Sequence, residues 1–546
     1  MAILTLNRSR FEREIGKLDE KLQNKIAMFG TPIESINEKE ICIEISPNRP
    51  DLLSYSGYKR TFLSFLGKKT GLKEYKLNPP QKDYEVIIDP SVKEVRPYTA
   101  CAIVKGLAFN DERIKEIIEM QEKLHVTLGR KRKKVAIGIY PLEKIKLPIT
   151  FKAIEPDKIK FVPLESEKEL SGLEILQKHP TGKEYAHLLA GKAKFPVFMD
   201  ADNKILSMPP IINSKETGKV TNETKDVFIE CSGLDFETAK YCINIITTAL
   251  AEMGGAIYQM VIRHKRKELT PNLTPEKMKI SLENVNRLLG LSLKEKELKI
   301  LLERMGYNYS NGVVEIPAWR IDILHEVDII EDVAIAYGYE NFTPIIPNVY
   351  TIGSTDKNEI TKSKIAEILV GLGMIEVLNY HIIQKKEIME KMEEGSENFI
   401  EIEKSKTDFG ILRNNLSYSL LKNLSENVDS EYPQEIFELG RVFIKNGNKI
   451  KEIESLAIAV SPGNYTRIKQ IMEYLLRMLN IEIKLNEPER APHIFIDGRV
   501  GQIFFNEKKI GYIGEIHPRI LKNWRIKMPV AIFEIEIDDI LKELVK

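Results

Sequence analysis

Cysteine is scarce. Cys42, Cys101, Cys231 and Cys242 form no CxxC pair and no Cys/His ligand spacing, which argues against a zinc site or a disulfide framework and fits a reducing compartment. Charge of one sign is also lacking: 81 basic against 80 acidic residues leave +1 over 546 residues, so affinity for nucleic acid must come from local patches. No apolar run reaches the length of a membrane span, and residues 1–20 lack the uninterrupted apolar core of a leader. A cytoplasmic protein without membrane contact is expected. There is no P-loop, GxGxxG, HExxH or GxSxG and no internal repeat, so those common enzyme classes are disfavoured.

What is present suggests roughly three to five domains by length. Residues 1–84 open with a strand-like MAILTL and a charged helical segment. Pro50 is placed to start a helix that ends near Gly67, with Tyr55, Tyr58, Phe62 and Phe65 on one face, a pattern of core burial. KLNPPQKDYE marks a linker. Residues 85–268 read as a mixed α/β domain with strands YTACAIV and VAIGIY, the amphipathic ERIKEIIEMQEKL, a hairpin turning at Asp202 and Asn203, and a closing helix ETAKYCINIITTALAEMG. Two features here bear on chemistry. The unbroken basic run Arg130 to Lys134 suits phosphate contacts or is simply solvated. The loop carrying Ser207, Pro209, Pro210 and Asn213 joins DVFIECSGLD either as a polar pocket or as ordinary turns.

Residues 269–346 form a small helix/strand module that ends in PAWRIDILHEVDIIEDVAIAYGY. A helix from about Leu324 aligns Ile323, Val327, Ile330, Ala334 and Tyr337 as an apolar stripe. Asp328, Glu331 and Asp332 then share a second face, with Asp322 at a capping position. Those acids are either a solvated face favoured by the helix dipole or part of a cation site. Residues 347–546 alternate helices with several closely spaced strands, which indicates a largely antiparallel sheet flanked by helices.

The order of SPNRPDLLSYSGYKR, VAIGIYPLEKI, MPPIINSKETGKVTNETKDVFIECSG, PAWRIDILHEVDIIEDVAIAYGY, LRNNLSYSLLKNLSEN, FELGRVF and GEIHPRIL resembles the β subunits of phenylalanyl-tRNA synthetases in their shorter archaeal and eukaryotic form. The resemblance covers nearly the whole chain. It implies a multidomain α/β and α+β protein: an N-terminal module (1–84), a tRNA-editing domain (85–268), a small module carrying a magnesium-site helix (269–346), and a class II synthetase-like domain (347–546). It also implies an α subunit as partner in an α2β2 heterotetramer that attaches phenylalanine to tRNA(Phe), with ATP as substrate of the complex. LRNN keeps an arginine of the second class II motif without its acid. No aminoacylation residue is therefore expected in this chain, and the helix Lys362 to Leu372 and the segment Leu412 to Leu424 are expected to face the α subunit.

By the same resemblance Asp322, Asp328, Glu331 and Asp332 fall on positions for Mg2+ shared with the α subunit. Phe198 and Ser207 fall on walls of the editing pocket, and Glu230 and Ser232 on the polar positions that read tyrosine. Relatives can carry Asp and Thr at the last two. A second, hydrolytic sieve has a physical reason: an apolar pocket built for phenylalanine rejects an added hydroxyl only about a hundredfold. His125 and the basic run after it are candidates for the tRNA backbone, or His125 is an ordinary surface histidine. Two alternatives stand beside this reading: a non-catalytic scaffold with no active editing site, and an independent metal-dependent hydrolase built on the acidic helix.

Overall fold

A computed structural model describes residues 2–545 except 265–266, 350, 396–398, 404, 406 and 448. The chain divides into two compact units, Met1–Ile346 and Pro347–Lys546.

The first unit begins with a three-stranded antiparallel sheet in which Glu40–Ile45 lies between Ala2–Asn7 and Ile33–Ile36. Alternate residues Ile41, Ile43 and Ile45 of that middle strand are fully buried, as the two-residue period of a strand requires. Pro50 opens only a 3-10 turn, Pro50–Leu52. The α-helix proper is Tyr55–Phe65, because extended Ser54 caps it by accepting from the Gly57 N–H. Gly57 is needed there: a Cβ would lie 2.2 Å from the Asp51 carbonyl oxygen. Tyr55, Tyr58, Phe62 and Phe65 are all buried, with Phe62 stacked between Tyr58 and Phe65.

A long mixed sheet follows. Its strands run in the order Ile212–Asn213, Ile205–Met208, Phe195–Met199, Ile149–Ile154, Glu85–Ile88, Ala256–Arg263, Tyr98–Lys105, Val227–Gly233 and Val135–Pro141. Along the last strand Val135, Ile137 and Ile139 join the core that includes Ile117 and Leu124 of helix Asp111–Val126 and Ile243 and Ile246 of helix Phe236–Glu252. Tyr140 joins a separate core on the other face with Cys101, Phe151, Phe198 and Phe228. The sheet curls until its ends meet: the Tyr140 hydroxyl on the last strand is 3.3 Å from Asn213 Oδ1 on the first.

The remaining part of this unit packs helices Leu282–Leu289, Glu295–Arg304 and Glu326–Tyr337 with a small antiparallel sheet. The acidic helix starts at Glu326, capped by His325. Its buried stripe is Ile329, Ile330, Val333 and Ala336, whereas Val327 is 52% exposed. Of the expected stripe Ile323, Ile330 and Ala334 are buried, and Asp328 accepts from the Leu324 and His325 amides at the helix start.

In the second unit seven strands form a sheet whose neighbours are all antiparallel except Ile375–Glu376 with Gln434–Asn446. Separate apolar cores cover its two faces, one including Leu420, Leu421 and Leu424 of helix Ser417–Glu426, the other Ile468, Met472 and Leu475 of helix Tyr465–Met478. The expected multidomain α/β architecture holds. Among the described residues no helix is long and apolar enough to cross a membrane. The aromatic helix of the first unit supplies a direct check: Phe62→Ala removes a fully buried ring and should destabilise that unit by about 3–5 kcal/mol in urea unfolding.

Candidate functional site

The strand Val227–Gly233 is central to the candidate pocket, with Glu230 paired across to Cys101 on one side and Gly138 on the other. Glu230 and Ser232, two residues apart, point to the same inner face. Glu230 is 2% exposed. Its Oε1 accepts from the Tyr140 hydroxyl at 3.3 Å, while its Oε2 is buried with no hydrogen-bond partner among the described residues. Burial, opposed by Arg96, pushes the carboxyl up to about 8. Arg96 is itself buried, donates to Ser232 Oγ and to the Ser232 carbonyl, and is held down to about 10 by desolvation.

Glu230 is part of the wall of a cavity of about 760 Å³; Ile137, Ile139, Pro209, Pro210 and Ile211 form apolar wall, and Gln121, Glu122, Arg132, Asn213 and Glu230 are among its polar groups. That volume suits an aromatic side chain with an attached group. Ser207 lies one layer behind, paired in register with Phe198 and Asn213, and its buried Oγ lacks a hydrogen-bond partner among the described residues. Phe198 is fully buried and stacked on Phe151 with ring centroids 4.2 Å apart. It is a core residue and does not line the cavity, because its strand turns that side chain into the sheet's interior. Of the four expected pocket residues, Glu230 reaches the cavity, Ser207 and Ser232 stand behind it, and Phe198 is withdrawn.

His125 is 2% exposed, and both ring nitrogens are engaged. Nε2 accepts from the Ile137 N–H at 2.8 Å and Nδ1 faces Glu122 at 3.2 Å. The expectation that it meets a tRNA backbone is therefore corrected. The basic run behaves differently. Arg130, Lys131 and Arg132 have φ of 47°, 52° and 63°, a left-handed path that ordinary residues rarely follow in succession. Arg132 turns back to the cavity, donating to the Ile211 carbonyl and Glu122 and covering the Tyr185 ring at 4.5 Å. Arg130, Lys131 and Lys133 are exposed and make no ion pair among the described residues.

The four acids around the acidic helix do not form one cluster. Arg320 grips both oxygens of Asp322 at 2.8 Å and also reaches Asp332 at 2.7 Å. The Tyr307 hydroxyl donates to the same Asp332 oxygen. Burial alone would raise Asp322, but Arg320 and then Arg49 hold it below its ordinary value. Arg49 makes its own fork on Asp51. Asp328 is occupied by backbone amides, and Glu331 is exposed. Among the described residues no group of three or more His, Cys, Asp or Glu is arranged to hold a metal. The expected magnesium set, Asp322, Asp328, Glu331 and Asp332, is thus not assembled by this chain, because a guanidinium already supplies the compensating charge.

In the second unit Arg413 of LRNN is 1% exposed and bound to Glu438 and the Arg441 carbonyl. It has no remaining role as a ligand for phosphate. Leu416, Leu420, Leu421 and Leu424 fill the unit's own core, so the expected docking face on Leu412 to Leu424 is corrected too. On Lys362 to Leu372, Ile365 and Leu369 likewise face the core. Val370 of that segment is exposed, and further large exposed apolar side chains lie at Ile375, Leu378 and Tyr380, the last two 83% and 86% exposed.

Residues 278–339 match the tRNA synthetase B5 domain, and residues 343–537 match the phenylalanyl tRNA synthetase beta chain CLM domain. The chain is 42% identical over 499 residues to the phenylalanine–tRNA ligase beta subunit of Thermococcus sibiricus, covering 89% of this chain and 88% of the relative. The chain belongs to the phenylalanine–tRNA ligase beta subunits. The Archaeoglobus fulgidus member is 37% identical over 546 residues, covering 98% of each chain. An N-terminal fragment of the Pyrococcus horikoshii beta subunit, known from a crystal structure, superposes with TM-score 0.58 at 38% identity, covering 62% of this chain and 99% of the fragment. That family membership accounts for the multidomain fold.

Arg96 and Tyr140 are the site residues that no motif assigned a role, and Asn213 belongs to the loop read either as a polar pocket or as ordinary turns. Tyr140 carried a weak signal, since VAIGIY alternates and places it on the face of Gly138. Two outcomes follow from the geometry. Arg320→Ala leaves two nearly buried carboxylates uncompensated and should cost about 3–5 kcal/mol in denaturant unfolding of the first unit. Glu230 ionises near 4.5 when unfolded and near 8 when folded. Its raised value contributes stability that is full below the unfolded pKa and lost as pH rises through the folded one. The melting temperature of wild type should therefore fall relative to Glu230→Gln between about pH 5 and pH 8.

Proposed function

We propose that this chain is the beta subunit of a two-subunit phenylalanine–tRNA ligase and that residues 85–268 form an editing domain that hydrolyses tyrosyl-tRNA(Phe). The observation that carries the editing reading is a cavity with an apolar wall of Ile137, Ile139, Pro209, Pro210 and Ile211 that also includes Glu230, whose buried Oε2 has no partner among the described residues. A tyrosyl side chain buries its ring along the apolar wall and pairs its hydroxyl with that oxygen. A phenylalanyl side chain leaves the oxygen unpaired, a difference of about 1–3 kcal/mol. The exposed cations of the Arg130–Lys134 turn suit contact with the tRNA phosphates beside the cavity mouth.

Within this chain the residues bind and orient. No side chain is assigned as general base, since His125 has both nitrogens engaged. The attacking water is held by backbone and by the terminal hydroxyls of the tRNA. Aminoacylation, with ATP as substrate of the α2β2 complex, takes place on the α subunit; Arg413, buried against Glu438, is consistent with a class II-like domain (347–546) that has no ATP site of its own. Residues 1–84 and 269–346 are structural modules. The exposed Ile375, Leu378 and Tyr380 fit an apolar contact with the α subunit. Magnesium is given no step here, because Arg320 already neutralises Asp322 and Asp332.

The test uses the chain purified with its α partner and offered tyrosyl-tRNA(Phe). Wild type should hydrolyse it, and Glu230→Ala should lose at least about tenfold in kcat/KM. Equal, background-level hydrolysis by both would leave the scaffold function instead.

A further inference from the structure

Tyr140 raises a question that the pocket reading leaves open. A buried carboxyl group can rotate and exchange its two oxygens, so an unpartnered oxygen beside a cavity is not by itself a directed one. In this pocket something chooses between the oxygens. The Tyr140 ring stands opposite Phe228 in register and packs on it at 5.7 Å. Its hydroxyl reaches back along its own strand, over Gly138, to lie 3.3 Å from Glu230 Oε1 and 3.3 Å from Asn213 Oδ1.

That reach exists only because residue 138 is glycine. A Cβ there would stand 2.2 Å from the Tyr140 hydroxyl and 2.7 Å from Glu230 Oε1, distances no real contact tolerates. The sequence Gly138-Ile139-Tyr140 is therefore a cradle and its occupant. Gly218 plays a similar part under Asn213, where an added Cβ would meet the Asn213 Cβ at 2.8 Å.

The one phenolic hydrogen is shared by two acceptors, and the hydroxyl thereby biases the orientation of both. Glu230 is held by Oε1, so Oε2 is the oxygen left over, and it is buried with no partner among the described residues. Asn213 is held by Oδ1, so its Nδ2 donor is the end left for a ligand. Glu230 and Asn213 both line the cavity. Its wall consequently carries one carboxyl oxygen and one amide donor that the Tyr140 hydroxyl does not engage. A hydroxyl both donates and accepts, and is the simplest group that satisfies such a pair.

We infer that Tyr140 is a positioning residue for recognition of a phenolic hydroxyl: through Glu230 Oε1 and Asn213 Oδ1 it orients Glu230 Oε2 and Asn213 Nδ2 toward the ligand, and Asn213 is a second reader. This rests on the proposed editing pocket and names how that pocket tells tyrosyl from phenylalanyl. Tyr140 acts through its two partners and does not touch the ligand.

The full-length chain is titrated with N-acetyl-tyrosinamide and N-acetyl-phenylalaninamide, followed by ligand-observed NMR. Wild type should favour the tyrosine compound by about tenfold, the worth of one well-formed hydrogen bond. Y140F keeps the ring and its packing but not the hydroxyl. Its preference should shrink to about threefold or less, with the phenylalanine compound bound as well as by wild type. G138A should reproduce that loss without changing any polar group. A Y140F protein that keeps the wild-type ratio overturns the inference. So does one that weakens both compounds equally, which is what a purely structural tyrosine would do, and so does a wild type without preference. Hydrolysis of tyrosyl-tRNA(Phe) is measured separately: a wild type that prefers the tyrosine compound, loses the preference in Y140F and yet hydrolyses nothing removes the editing function while the positioning role of Tyr140 stands.

Discussion

Closure of the long sheet on itself is the constraint from which the rest of the first unit's chemistry follows. Strands that begin the path at Ile212–Asn213 and end it at Val135–Pro141 are brought together, and the Tyr140 hydroxyl bridges Asn213 and Glu230 at the seam. The outer face of the final strand is committed to the core shared with two helices. Its inner face is therefore free to carry small and polar groups around Glu230. Without the curl, Asn213, Ser207 and Glu230 would belong to distant strands. With it, these polar groups gather around Glu230, which is buried, and a carboxyl in such a place is pushed up by desolvation.

A second constraint is electrostatic. Two Arg-x-Asp forks, Arg49 with Asp51 and Arg320 with Asp322, bring SPNRPD and PAWRID near enough for Arg49 to act on Asp322. Arg320 extends the network to Asp332 and, through it, to Tyr307. Acids that look like cation ligands along the sequence are here ligands of a guanidinium. Coulomb attraction at about 2.8 Å in a buried setting favours the nearest fixed cation, and the arginine two residues before Asp322 is already there. The class II-like unit repeats the lesson with Arg413, which Glu438 and backbone carbonyls engage in the interior.

Much of the fold was legible in the chain. Apolar alternation in VAIGIY and the aromatic spacing from Tyr55 to Phe65 marked elements and core faces correctly, because burial periodicity depends on neighbours only a few residues apart. The site was less legible. Glu230 stood out as an acid inside a strand otherwise rich in apolar residues, and it does reach the cavity. Phe198 did not, since which face of a hairpin lines a cavity depends on how the whole sheet curls. His125 looked like a surface histidine at the end of an amphipathic helix. Its ring instead takes up the Ile137 N–H, a contact that no local pattern announces.

The sequence by itself determined the family, the alternation of helices and strands, the scarcity of cysteine and the absence of nucleotide-loop motifs. These are properties of composition, order and short-range period. Only the tertiary structure decided which acids are paired, which oxygen of Glu230 is left without a partner, and that the apolar side chains of helix Ser417–Glu426 are spent on its own core while Leu378 and Tyr380 remain outside. The physical reason is range. Hydrogen bonds and desolvation act over a few ångströms, and the chain segments that come within that reach, such as residue 140 with residues 213 and 230, are set by the closing of the sheet.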